Sequence, residues 1–195
     1  MMRLCFIGGL VIAAGALVPI MAFAQTASES RAASSTEFRG TAPGLCVVRG
    51  AAQFVSATNA SLTTSTQNAA AIQVTSLVAQ NGSGIANAAD LTLRFPVICT
   101  VTHDVTIRSA SGGMIRAEGS VANAAGFRTL LDYEVQTVWA GATNSAQATA
   151  LPQIIRVTDA AQGDLSVRVS IPQGGIPLVA GSYADTLTIN LAPTL

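Results

Sequence analysis

The sequence contains no lysine, one histidine, one tryptophan and two tyrosines in 195 residues, and only 10% of its side chains are charged. Arginine supplies all ten basic groups, ten acids balance them, and no basic stripe forms, so the chain lacks the electrostatic footprint of a nucleic-acid binder. The lone histidine narrows catalysis in the same way. A serine or cysteine nucleophile needs a base held against it, and His103 stands beside Asp104, where neighbours on a strand project to opposite faces and cannot orient one another. His103 therefore reads as a solvated residue of a hairpin turn. Ser83 lies in "NGSGIAN", with Asn81 where a nucleophile elbow requires glycine. Asp132 and Glu134 share a strand face and read as its solvent side rather than as a glycosidase pair. Asp159 and Asp164 flank "AAQG", and one acidic loop does not define a calcium site. The expectation is a protein that is not an enzyme and has no cofactor, no metal and no small-molecule substrate. Asn59-Ala60-Ser61 and Asn81-Gly82-Ser83 fit the glycosylation sequon, a pattern that recurs by chance in a chain rich in Asn and Ser.

What is present begins with an apolar run. Arg3 precedes "LCFIGGLVIAAGALVPIMAFA", and Ala22-Phe23-Ala24 before Gln25 is the small-residue pattern of a secretory signal peptide, giving a leader over 1–24. An uncleaved anchor is the competing reading, because the run is long enough to span. Gly8, Gly9, Gly15 and Pro19 weaken it as a permanent helix, so no membrane anchor is expected after cleavage. Export changes the meaning of the cysteines. Cys5 leaves with the leader, and the remaining pair, Cys46 and Cys99, is economically read as a disulfide in an oxidising compartment. A metal site is the alternative, but these two thiols and His103 cannot fill a tetrahedral shell.

Residues 25–44, "QTASESRAASSTEFRGTAPG", are small, polar and aperiodic apart from Phe38 and read as a flexible tail. From 45 to 195 the texture is alternating. "LCVVRGAAQFVSA" predicts one kinked strand or two short ones broken at Gly50; "NASLTTSTQNAA" predicts a loop, and "AIQVTSLVAQ" a strand. In "DLTLRFPVICTV" Leu91, Leu93, Phe95, Val97, Cys99 and Val101 share one face, with Pro96 marking an edge or bulge because it cannot donate to a ladder. "THD" predicts a tight turn into "VTIRSASGG", making a hairpin. Leu131, Tyr133, Val135 and Trp139 line one face of "TLLDYEVQTVWAG", with Trp139 as a core anchor. "QIIRVTD", a turn at "AAQGD", "DLSVRVSI" and a closing strand with Leu187, Ile189 and Leu191 inward complete the pattern. Seven to nine short strands without an amphipathic helix define an all-β fold, read as a β-sandwich with Greek-key connections; a closed barrel is the alternative.

"FPVICTVTHDVTIRSASGGM", "LDYEVQTVW" and "PLVAGSYADTLTINL" together resemble the spore coat protein U-like domain family, whose relatives include subunits of archaic chaperone–usher pili. Pro177, Ala180, Gly181, Tyr183, Asp185, Leu187 and Ile189 match that family's closing strand, and Cys99 matches its strand-ending cysteine. The likeness covers 45–195. It implies an immunoglobulin-like sandwich that lacks one strand, exposing a groove filled first by a periplasmic chaperone and then by the N-terminal extension of a neighbouring fibre subunit delivered at an usher. It also implies passage through the periplasm to the cell surface or a pilus. A donor strand alternates bulky apolar residues, and 25–44 offers only Phe38, so the chain is expected either to accept a strand without donating one or to be a self-complete secreted or periplasmic binding module. Mass spectrometry of the exported protein without reductant is expected to find no free thiol; alkylation of Cys46 or Cys99 would remove the covalent tie.

Overall fold

The structure is a computed structural model and describes residues 37, 39–119, 125–148 and 151–194. The chain divides into two units, Met1–Gly40 and Thr41–Leu195. The leader over 1–24 and most of the tail over 25–44 lie outside the described residues. Among those described, no helix is long and apolar enough to cross a membrane.

Among the described residues all strands fall in the second unit. In chain order they are β1 (Cys46–Val48), β2 (Gln53–Thr58), β3 (Ala60–Ser65), β4 (Ala70–Val74), β5 (Ala89–Cys99), β6 (His103–Ser109) and β7 (Met114–Arg116), followed by β8 (Leu130–Leu131), β9 (Glu134–Trp139), β10 (Ala142–Gln147), β11 (Gln153–Val157), β12 (Ala161–Ile171), β13 (Tyr183–Ala184) and β14 (Leu187–Pro193). The largest sheet runs β1-β5-β12-β9-β10, with β2 also on β5; a second runs β11-β6-β14; β13-β7-β8 and β3-β4 are smaller. Every ladder between named strands is antiparallel.

The spine is the pairing of β5 with β12, which keeps one register from Ala89↔Ile171 to Cys99↔Ala161. Alternation fixes that register: Leu91, Leu93, Val97 and Cys99 on β5 and Leu165 and Val167 on β12 are buried, and a slip of one residue would turn them all to water. Pro96 lies within this central strand, not at an edge. Arg49 N donates to Pro96 O at 2.7 Å, so the proline nitrogen faces the same neighbour and returns no hydrogen bond. The interruption is therefore in the partner: the β1 ladder stops at Val48↔Val97, the chain breaks through 49–52, and β2 takes over at Gln53↔Arg94. Between β9 and β10 the two-residue turn Ala140-Gly141 has φ of 49° and 80°, the mirror-image turn that matches strand twist.

Three local expectations give way. The Ser- and Thr-rich stretch expected to be a loop forms β3, paired with β4; Ser65 Oγ donates to Ala52 O and Gln67 Nε2 to Val48 O, tying the hairpin to the first strands. "THD" does not close a hairpin: β5 belongs to the large sheet and β6 to the second, so the chain crosses from one sheet to the other at 100–102. The "AAQGD" turn is shorter than expected, since β12 already begins at Ala161.

That crossing buries His103, contrary to its reading as a solvated turn residue. Its relative exposure is 0%, that of Trp139 on the other sheet is 2%, and the indole Nε1–H donates to His103 Nε2 at 2.7 Å. An indole can only donate, so Nε2 accepts and Nδ1 carries the proton, which it donates to Val101 O at 2.8 Å. The two sheets share one apolar cluster around this pair, including Cys99, Val105, Ile107, Val135, Ile155, Leu165 and Val167. Leu91, Leu93 and Ala52 form a second cluster closed by Leu62 and Ala70 of the β3–β4 hairpin. Trp139→Phe is expected to cost about 1–3 kcal/mol beyond its volume change by leaving Nε2 unpaired. Adding His103→Phe should recover part of the loss, measured by denaturant unfolding of the single and double variants.

Candidate functional site

β14 closes the chain at the margin of the second sheet. Its register on β6, Leu187↔Ser109 through Pro193↔His103, together with Ala110 N to Thr186 O and Thr194 N to Thr102 O, puts the backbone groups of Thr188, Asn190 and Ala192 toward β6. The amides and carbonyls of Leu187, Ile189 and Leu191 point the other way, and no strand pairs with them among the described residues. The side chains of these three residues pack on the core and remain half-buried. Val105 and Ile107 on the neighbouring strand, which has a partner on each side, are 0% and 1% exposed. The difference is the missing neighbour: a strand covered on one edge leaves both its backbone row and the flank of its apolar row open.

Beside this margin lies β1, with no ladder to β14. Thr100 N donates to Leu45 O and Arg49 N to Pro96 O, so Leu45, Val47 and Arg49 face β5, while Cys46 and Val48 turn their backbone groups outward. The side chains of Cys46 and Val48 pack on the main core. Cys46 stands directly opposite Cys99 with 4.1 Å between Cα atoms, and a disulfide joins them. The short β1 is thereby held at its place by a covalent bond. Closing a loop across a separation of 53 residues stabilises the fold by about 4 kcal/mol on the chain-entropy account. A disulfide fits an oxidising, extracytoplasmic compartment.

The segment leading into β14 is locked from below. Gly181 has φ of 151°, and a Cβ there would stand 2.5 Å from both Arg116 Nε and Glu118 Oε2. The side chain it cannot carry leaves room for Arg116 Nε to donate to Ala180 O at 2.8 Å and for Ser182 N to donate to the Glu118 carboxylate. Tyr183 OH donates to Val179 O at 2.8 Å. The Asp185 carboxylate then accepts from Ser109 Oγ, from Tyr133 OH at 2.7 Å and from Ser111 N at 3.1 Å. Burial pushes the Asp185 carboxyl up, but the bonds from Ser109 and Tyr133, with those from the Thr186 and Ser111 amides, outweigh it and hold the group below the usual carboxylate range. Burial and then the adjoining carboxylate push the Tyr133 phenol up. Composition gave no hint of this cluster; its signal was the spacing of Tyr183 and Asp185 ahead of an alternating strand.

The remaining residues singled out in the sequence stay apart. Both nitrogens of His103 are engaged within the core. Among the described residues the only group of three His, Cys, Asp or Glu side chains close enough to hold a metal ion is Cys46, Cys99 and His103, and its two sulfurs are spent in the disulfide. Asp132 pairs with Arg128 at 3.5 Å, whereas Glu134 accepts from Ser145 Oγ. Ser83 lies in an exposed turn, where its amide donates to Asn81 Oδ1. Asn59 is sealed: its Nδ2 donates to Ser76 O and Ala88 O, and its Oδ1 accepts from Ser76 N. Comparison with protein-family models, curated proteins and solved structures found no match for the chain.

Asp185→Asn is expected to destabilise the fold by roughly 2 kcal/mol at neutral pH, the scale of hydrogen bonds to a charged acceptor. A depressed folded-state pKa contributes stability above the unfolded value of about 3.9 and loses it as pH falls through the folded value. The gap between wild type and variant in denaturant unfolding should therefore narrow on acidification below that range; a pH-independent gap would show that the charge is not what the cluster holds.

Proposed function

We propose that the chain is an exported, non-catalytic subunit of a bacterial surface fibre, structural or adhesive, built on an immunoglobulin-like sandwich that is one strand short. The observation that carries this reading is the open margin of β14, where Leu187, Ile189 and Leu191 present unpaired backbone groups above half-buried side chains. An extended segment laid along the open edge of β14 gains main-chain hydrogen bonds along the row and sinks alternate side chains toward the core. Pro193 has no N–H and marks one end of that row.

The partners follow from the same physics. An exposed edge above apolar side chains is prone to wrong pairing, so such a subunit needs a periplasmic chaperone until an usher hands it to a neighbour. The segment 25–44, with Phe38 as its one large apolar residue, supports a subunit that accepts a strand and donates none. Membership of the spore coat protein U-like family is part of the proposal, supported by the closing motif from Pro177 to Ile189, in which Tyr183 OH donates to Val179 O and Asp185 accepts from Tyr133 OH. The fully buried centre around His103 and Trp139 favours a second reading, a self-complete secreted or periplasmic binding module.

Periplasmic expression separates the two. A strand acceptor made alone should be recovered in low yield and aggregate as its concentration rises, and co-expression with a chaperone of this assembly class should raise the yield as a soluble complex of the two chains. A monomer that unfolds cooperatively, with a midpoint indifferent to the chaperone and to added donor peptides, would overturn the acceptor reading and leave the self-complete module.

A further inference from the structure

A different part of the molecule carries a modification site. The sequence has one Asn-Gly pair, Asn81-Gly82, at the tip of a hairpin whose stem is the bridge Val78↔Ala86, flanked by Ala79 N to Ile85 O and Asn87 N to Leu77 O. Residues 80–83 are exposed. Ser83 N donates to Asn81 Oδ1 at 3.0 Å, which folds the carboxamide back over the intervening Gly82 peptide, and Asn81 Nδ2 has no partner among the described residues. Gly82 is exposed, has φ of 79° and has nothing within 4 Å of where a Cβ would stand, so it carries no side chain to hinder the turn and none from elsewhere in the fold crowds that face. Other asparagines are differently placed. The Nδ2 groups of Asn59 and Asn87 are committed to backbone carbonyls, and the exposed Asn68 precedes alanine.

We infer that Asn81 deamidates in the folded protein without any enzyme. The Gly82 backbone nitrogen gives up its proton to solvent base and attacks Asn81 Cγ; the N–Cγ bond forms, the Cγ–Nδ2 bond breaks, and ammonia leaves. Water then opens the cyclic imide at either carbonyl, giving aspartate or isoaspartate, with no change of oxidation state. Either product adds one negative charge to a chain whose ten acids and ten arginines balance, and isoaspartate lengthens the main chain at the tip by one methylene. The stem is anchored apart from the tip, by Leu178 N to Gly84 O and Gly174 N to Ala86 O, so the fold persists in the modified chain.

The test is ageing of the purified, oxidised chain in mildly alkaline and mildly acidic buffer, followed by site-resolved peptide mapping and an isoaspartate methyl-acceptor assay. The expected result is conversion at Asn81, faster in alkali, with Asn59, Asn68 and Asn87 intact, an acidic charge variant that grows with time, and its loss in Asn81→Gln. An amide that stays intact while a peptide of residues 77–86 converts under the same conditions would overturn the inference, as would conversion of Asn68 at the same rate.

Discussion

One hydrogen bond holds the two main sheets in a fixed relation: the donation from the Trp139 indole on β9 to the His103 imidazole on β6. Its rings sit edge to face, with centroids 6.0 Å apart, and the Cys46–Cys99 disulfide lies against the same imidazole. A buried polar pair of this kind tolerates little sliding, because a displaced sheet would leave a donor and an acceptor stranded away from water. The apolar cluster supplies the greater part of the stabilisation, but it is not directional; the imidazole, fixed through Val101 O on its other side, sets how the sheets face each other.

From this fixed centre the margins acquire their character. The disulfide holds β1 on β5 on one side, and the Asp185 cluster ties the approach to β14 to Ser109 and Tyr133 on the other. The three-residue β1 and the longer β14 are thus kept at defined positions, and among the described residues no strand pairs with the outer backbone row of either, Gln67 Nε2 alone reaching Val48 O. An edge that is rigid and apolar beneath is either a hazard or a binding surface. The proposed function takes it as the second, with a cost already visible in the half-buried Leu187, Ile189 and Leu191.

Alternation made the all-β class and the inward faces of β5, β9, β12 and β14 readable, because burial repeats every second residue in a sheet covered on one face. What it could not convey is which sheet a strand joins. His103 was misread because Asp104 and the preceding Thr residues look like a turn, whereas the chain there is passing between sheets and brings the imidazole inside. β3 was missed because Leu62 is its only large apolar residue and its Ser and Ala carry weak strand signals despite the two Thr, and its pairing with β4 depends on packing over Leu91 and Leu93. Pro96 was read as marking an edge or a bulge; β5 runs through it in one register with β12, and the break lies in the neighbouring segment, where β1 gives way to β2. Of the candidate site, the disulfide pair and the inward row of β14 were legible; the spacing of Tyr183 and Asp185 marked one member of the Asp185–Tyr133–Ser109 cluster, but its partners were not legible, since they lie far off in sequence.

Residue-resolved amide exchange along β14 tests the account's central claim most directly, because it reads the pairing of each backbone group. The account predicts alternation in the isolated chain: Thr188, Asn190 and Ala192 exchange slowly, and Leu187, Ile189 and Leu191 exchange fast until a bound strand protects them. Uniformly slow exchange along 187–192 in the isolated chain would contradict it, since the margin would then already have its partner.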